Sequence, residues 1–268
     1  MEGTEELETG WGAHAPAGDN LCNDYAQALA DGLLELARAR DEAVLDDGDV
    51  ALCDGGSPSP FGNLAAVRRP LSEDGWRKAA ARADAFYGRR PGAGFLLFSA
   101  WPTPDLSPLG FTLVGHPPLM YRPPGPLAVP PLDGVEVRSV TDEAGAADWE
   151  RTLVEGFPVA ELQPWRRGCL LPAVTPPRWR YWVAYLDGER AACASARLCD
   201  RHVDVQFVAT LDAARRRGIG AAVTAAATLA DPALPAMLVA SDPGRPVYQR
   251  LGYRSLLRFT MWTGRRPT

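Results

Sequence analysis

The sequence predicts an α+β protein in two units, each a mixed, mostly antiparallel sheet flanked by helices. Three observations carry this. Strand-like and helix-like patterns alternate through both halves of the 268 residues. Five prolines crowd Pro123–Pro131 (PPGPLAVPP), a density that no helix or central strand survives. An order of strand, helix, strand, short Leu-Gly-aromatic segment and strand occurs on both sides of that run. The division that follows is a flexible tail at 1–18, a first unit at 19–122, a proline-rich linker at 123–134 and a second unit at 135–268.

The first unit opens with a helix from Asn23 to about Arg40, because Tyr25, Leu29, Leu33 and Leu36 form one apolar stripe at helical spacing. Asp49–Cys53 and Asn63–Arg68 read as strands around a Gly/Ser/Pro turn. Ser72 starts a second helix, with acids in its first turn and Arg89 and Arg90 at its end, as the helix dipole favours. Gly94–Ala100 is a buried strand and Phe111–Val114 another. In the second unit Val135–Val137 opens a strand and Asp142–Gly156 an amphipathic helix. Arg180–Tyr185, Arg190–Leu198 and His202–Val208 form an antiparallel meander with short turns. A helix at Gly218–Leu229, a strand at Ala236–Ala240, a short helix at Arg245–Leu251 and one final strand at Leu256–Trp262 complete it.

Composition narrows the function classes. No apolar run approaches membrane-spanning length, and the acidic start (MEGTEELETG) lacks the basic and apolar regions of a secretory signal. Cys22, Cys53, Cys169, Cys193 and Cys199 are odd in number and form no CxxC pair, which points to reduced thiols and a cytoplasmic protein. The three histidines are far apart, so no metal is expected. Residues 1–60 hold 14 acids against two arginines, leaving a surplus of bases in the remainder. That surplus suits an anionic small ligand and is too weak, with too few interleaved aromatics, for nucleic acid.

The most informative stretch is Val208-Ala209-Thr210 followed by Arg215-Arg216-Arg217-Gly218-Ile219-Gly220-Ala221. A strand ends, a basic glycine-containing turn follows and an Ala-rich helix begins. Backbone N–H groups at a helix start point outward unpaired, and the dipole adds positive charge, so such a turn suits a pyrophosphate. Arg215-x-x-Gly218-x-Gly220 resembles the acyl-CoA pyrophosphate signature of the GNAT superfamily of N-acetyltransferases, Gln/Arg-x-x-Gly-x-Gly/Ala. Downstream, Val247-Tyr248 and Leu251-Gly252-Tyr253 resemble that superfamily's second signature, at a matching distance. The resemblance covers roughly Val135–Trp262. The first unit is read as a degenerate GNAT-like repeat: Pro108-Leu109-Gly110-Phe111 echoes Arg250-Leu251-Gly252-Tyr253, and Leu96–Ala100 echoes Leu238–Ser241. Its helix after Val67 starts from acids instead of Arg-x-x-Gly-x-Gly, so it is not expected to hold CoA.

The resemblance implies an acetyl-CoA-dependent N-acetyltransferase, a monomer or homodimer, acting on the primary amine of a small molecule by direct attack in a ternary complex. It also implies roles. Amides of Val208 and Thr210 would bind pantetheine and the thioester carbonyl; those of Arg216 through Ala221 would hold the pyrophosphate, with Ala209, Arg215 and Ser241 beside the donor. Tyr248 would protonate the departing thiolate. For the general base, His202, Asp204 and Gln206 alternate on one strand and would share a face; Asp204 is the first candidate, through a water, and His202 the second. Glu155 is an alternative base or an ammonium ligand, while Phe157, Trp165 and Gln206 would line the acceptor pocket. Two alternatives stay open: a GNAT-fold acyl-CoA-binding or regulatory protein without turnover, and a transferase using another acyl-CoA.

Overall fold

The computed structural model describes residues 21–89, 94–172 and 175–265; the expected tail at 1–18 lies outside them. The first half holds α1 (Leu21–Ala39), β1 (Ala43–Asp46), β2 (Val50–Asp54), β3 (Asn63–Val67), α2 (Glu73–Tyr87), β4 (Phe95–Ser99), β5 (Phe111–Gly115) and β6 (Pro118–Arg122). The second holds β7 (Val135–Ser139), α3 (Glu143–Gly156), β8 (Trp179–Leu186), β9 (Glu189–Leu198) and β10 (Val203–Thr210). It continues with α4 (Ile219–Thr228), β11 (Ala236–Val239), α5 (Arg245–Arg250), β12 (Arg254–Arg258) and β13 (Thr260–Gly264).

Helix starts follow their local chemistry. Ser72 caps α2 by accepting from the Gly75 amide at 3.2 Å, and Asp142 caps α3 from Gly145 at 2.8 Å. Asn23 does not cap α1, which is already formed at Leu21. Of the predicted stripe Tyr25 and Leu29 are buried while Leu33 and Leu36 are only partly so, and Leu34, outside the stripe, is buried as well.

The same wiring occurs twice. The first sheet runs β1-β2-β3-β4-β13-β5 and the second β7-β8-β9-β10-β11-β6-β12. In each, a helix precedes an antiparallel three-strand run, a second helix follows, and the next strand adds in parallel: β3 with β4, and β10 with β11. Gly110 and Gly252, the paired glycines of the repeated Leu-Gly-aromatic segment, have φ of 85° and 88°. The repeat in the sequence is therefore a repeat in backbone geometry.

The halves also exchange strands. β6, from the first half, lies between β11 and β12 of the second sheet; β13, from the chain's last residues, lies between β4 and β5 of the first. The single final strand expected at 256–262 is thus two strands, which part at Phe259 to enter different sheets. Phe259 is buried at this crossing, its ring 6.0 Å from that of Tyr25, in an apolar cluster with Leu29, Leu119 and Met237. Two strands went unforeseen. β1 is only four residues long, and β6 is bracketed by Pro117, Pro118 and Pro123, which hide its pattern.

Candidate active site

The site begins where the second sheet opens. β10 pairs with β11 only at Val203–Ala236 and Asp204–Met237, while it stays paired with β9 as far as Thr210–Ala192. From Val205 to Thr210 the other edge of β10 therefore faces no strand among the described residues, and its outward backbone groups are left for a ligand. The first sheet has no such opening, since β3 and β4 remain paired through Ala66–Phe98 near the end of β3.

Beside the opening β10 bulges between Gln206 and Ala209, and Phe207 takes a φ of 52°. A bulky residue in that region is strained and must be held by its surroundings. β9 supplies the hold: Ser195 Oγ donates to the Gln206 carbonyl at 3.0 Å, and the Cys193 thiol to the Phe207 carbonyl at 3.8 Å. Trp149 and Trp179 pack their rings 6.0 Å from that of Phe207.

β10 then runs through a short turn, Asp212–Ala214, into the basic loop. Arg215 is tied down: it donates to the Thr210 and Gly156 carbonyls at 3.2 and 3.3 Å and pairs with Asp212 at 2.8 Å. Arg216 and Arg217 are exposed, with no ion pair among the described residues. Gly218 starts α4 with a φ of 82°, a conformation costly to any residue with a Cβ. Gly220 answers a different need, for a Cβ there would sit 2.8 Å from Thr210 Oγ1. Ala221 and Ala222 both donate to the Gly218 carbonyl. The five amides from Arg216 to Gly220 meet no acceptor among the described residues, which leaves a run of free donors at the helix start.

Tyr248 lies on α5 in the same core cluster as Ile219, Val208 and Ala221. A Cβ on Gly244 would be 3.1 Å from Ser241 Oγ and 3.3 Å from the Tyr248 hydroxyl, so the two hydroxyls converge there. Burial pushes the Tyr248 phenol up to about 12, so it keeps its proton at neutral pH.

His202, Asp204 and Gln206 all meet Tyr25, from α1 of the first half. The His202 ring is 5.7 Å from it, Gln206 Nε2 donates to its hydroxyl at 3.2 Å, and Asp204 shares a hydrogen bond with it. Gln206 Nε2 also donates to both Asp204 oxygens, at 2.9 and 3.1 Å. Complete burial pushes the Asp204 carboxyl up to about 7, against the lowering effects of Gln206, Arg197 and Tyr25. Burial, aided by Arg197 and Arg201, pushes His202 down to about 4, and neither ring nitrogen meets a partner among the described residues. His202 stands at the start of β10, roughly 25 Å of strand away from Thr210.

The helix α3 residues divide otherwise than their sequence positions suggested. Glu155 is engaged by Arg151 and Arg190, at 2.6 and 3.1 Å. Burial would raise its carboxyl, but those arginines outweigh it and hold it below the usual carboxylate range. Phe157 packs edge-on against Phe61 of the first half, ring centroids 4.7 Å apart. Trp165 donates its indole N–H to Glu150 at 3.1 Å. Glu150, which sequence reading passed over, is buried and also accepts the amides of Gly168, Leu170 and Leu171 at 2.7–2.8 Å. One carboxylate thereby shapes the whole 165–171 loop; its signal was an acid beside Trp149 on the apolar face of α3.

Comparison with known proteins agrees with this geometry. Residues 177–255 match the acetyltransferase (GNAT) domain family. A GCN5-related N-acetyltransferase from Kribbella flavida is 22% identical, with a TM-score of 0.68 over 91% of this chain and 95% of that one. A conserved protein of unknown function from Staphylococcus epidermidis is 15% identical, TM-score 0.59, over 85% and 95%. A GCN5-related N-acetyltransferase from Sphaerobacter thermophilus is 14% identical, TM-score 0.53, over 95% of both chains. No curated protein sequence matches. Residues 177–255 thus carry a match to the acetyltransferase (GNAT) domain family, and the chain as a whole has the fold of GCN5-related N-acetyltransferases, with the same wiring in both halves. Among the described residues no acidic, histidine or cysteine group is arranged to hold a metal, and no helix is long and apolar enough to cross a membrane.

Proposed function

We propose that the protein is an N-acetyltransferase that moves the acetyl group of acetyl-CoA to the primary amine of a small molecule, by direct attack in a ternary complex. The observation that supports this most is the opening of β10 beyond Asp204, leading into the five acceptor-less amides from Arg216 to Gly220. That run of donors suits a diphosphate, with Arg216 and Arg217 in no ion pair among the described residues and able to add charge beside it. The freed edge of β10 at Val208–Thr210 offers N–H donors to pantetheine and to the thioester carbonyl, where negative charge develops on attack. Tyr248 keeps its proton until the thiolate leaves and then donates it. Asp204, poised at about 7, takes the proton of the attacking amine through a water. A cytoplasmic location and a monomeric or dimeric state belong to the same reading.

The complete burial of Asp204 and the two arginines on Glu155 favour a second reading, an acyl-CoA-binding protein without turnover. Calorimetric titration of acetyl-CoA into the protein and its Gly218→Glu variant tests both. Micromolar binding lost in the variant is expected; no binding by the unaltered protein overturns both readings. Binding with no acetylation of any amine leaves only the second.

A further inference from the structure

Between the two halves, on the Phe207 side of the second sheet, lies a cavity of about 60 Å³. Leu33 and Leu36 of α1 and Phe61 wall it from the first half; Trp149, Leu153 and Phe207 wall it from the second. Its charged side chains are Arg40 and Glu42, an ion pair 2.8 Å apart, with Arg40 also donating to the Cys169 and Leu170 carbonyls. Arg40, Glu42 and Leu171 also line a wide groove of about 1160 Å³ that runs along the start of α3. The chamber is therefore an apolar recess off a polar cleft.

We propose that this recess is an acceptor-specificity pocket: it seats a short aliphatic group of the amine substrate, and the first unit serves as its wall. The inference rests on the acetyltransferase reading and names the acceptor class that reading leaves open. Phe207 is the link. It directly precedes Val208, whose backbone is assigned to the thioester, so the ring that walls the recess is one residue along β10 from the backbone that would hold the reacting carbon. Its positive φ holds that ring at the bulge. Size sets the group. The recess is about two-fifths of the 150 Å³ chamber that admits benzene, enough for roughly three or four carbon atoms. Chemistry sets it too: Arg40 and Glu42 are paired with each other, and a charged or hydroxylated group seated against Leu33, Leu36, Phe61, Leu153 and Phe207 would lose its water without gaining partners from those side chains. The polar remainder of the acceptor, including any second charge, has the groove outside.

Leucinamide and glycinamide share an amine and an amide and differ by one isobutyl group, so they test the recess directly. With acetyl-CoA as donor, kcat/KM for leucinamide should exceed that for glycinamide at least about tenfold. Leu33→Trp, which puts an indole into the recess from a half-exposed position, should bring the ratio close to one. Leu36→Ala, which enlarges the recess, should raise the relative kcat/KM of phenylalaninamide. Melting temperature and acetyl-CoA affinity report whether each variant is folded. Equal use of leucinamide and glycinamide by the unaltered protein, or a preference that survives both variants, overturns the proposal. Should acetyl-CoA not bind, the acetyltransferase reading falls, and ligand-observed NMR decides the recess alone. Leucinamide contacts abolished by Leu33→Trp support it, and no leucinamide contact with the unaltered protein overturns it.

Discussion

Arg197 on β9 and Glu35 on α1 form a two-point ion pair, Nη2 to Oε1 at 2.7 Å and Nε to Oε2 at 2.9 Å, across the seam between the halves. The Arg197 side chain is 5% exposed, so its charge depends on this partner. Glu35→Ala leaves a buried guanidinium without its carboxylate and should cost about 3 kcal/mol in urea unfolding. Arg197→Met with Glu35→Leu, which removes both charges, should recover most of that loss. A single-variant cost under 1 kcal/mol would show that water reaches the seam.

Two buried groups, Asp204 on β10 and His202 just before it, should tilt stability in opposite directions with pH. His202 is held near 4, whereas the unfolded chain takes up its proton near 6.5, so stability falls as pH drops through that window, by roughly 3 kcal/mol. Asp204 is held near 7 against 3.8 unfolded, so its contribution is present at low pH and fades as pH rises to about 7, by roughly 4 kcal/mol. The unaltered protein should therefore show a shallow profile between pH 4 and 7. Melting curves of His202→Leu should slope downward with rising pH, and those of Asp204→Asn upward.

Tyr248→Phe removes one hydroxyl from a packed ring and should leave acetyl-CoA affinity within about threefold. Turnover should fall at least about a hundredfold if the phenol supplies the proton to the thiolate. Stopped-flow and calorimetry on one preparation separate the two effects, and unaltered turnover would remove Tyr248 from the chemistry.

Gly218→Ala forces a Cβ into a left-handed position and should cost about 1–2 kcal/mol, with weaker acetyl-CoA binding. Gly218→Asn, better tolerated at positive φ, should lose less. Equal losses in the two variants would mean that crowding against Leu132, 3.3 Å from the added carbon, outweighs the backbone conformation.

The basic loop was legible because its determinants are local. A strand end, Arg215-x-x-Gly218-x-Gly220 and an Ala-rich helix lie within about twenty residues, and each acts on its neighbours. The repeat was legible for a similar reason, since Gly110 and Gly252 punctuate equivalent turns. Tyr25 was readable only as one apolar position in the stripe of α1; its hydroxyl acquires meaning from Gln206, 181 residues away. Glu155 looked available until Arg190, on a different strand, arrived beside it. The exchange of β6 and β13 left no trace in periodicity, because a strand's pattern records which face is buried and not which sheet it joins.

That exchange has a consequence for how the chain is made. Among the described residues β5 pairs with β13 alone, and β4 is flanked on one side by the same strand. During synthesis the first sheet must therefore wait, with an open slot, while about 145 further residues are added; at ribosomal speed that is roughly seven to thirty seconds. The first half cannot mature ahead of the second, as successive domains usually do. It is closed by a strand from the second half, so a chain stopped before β13 is left with an unfinished first sheet.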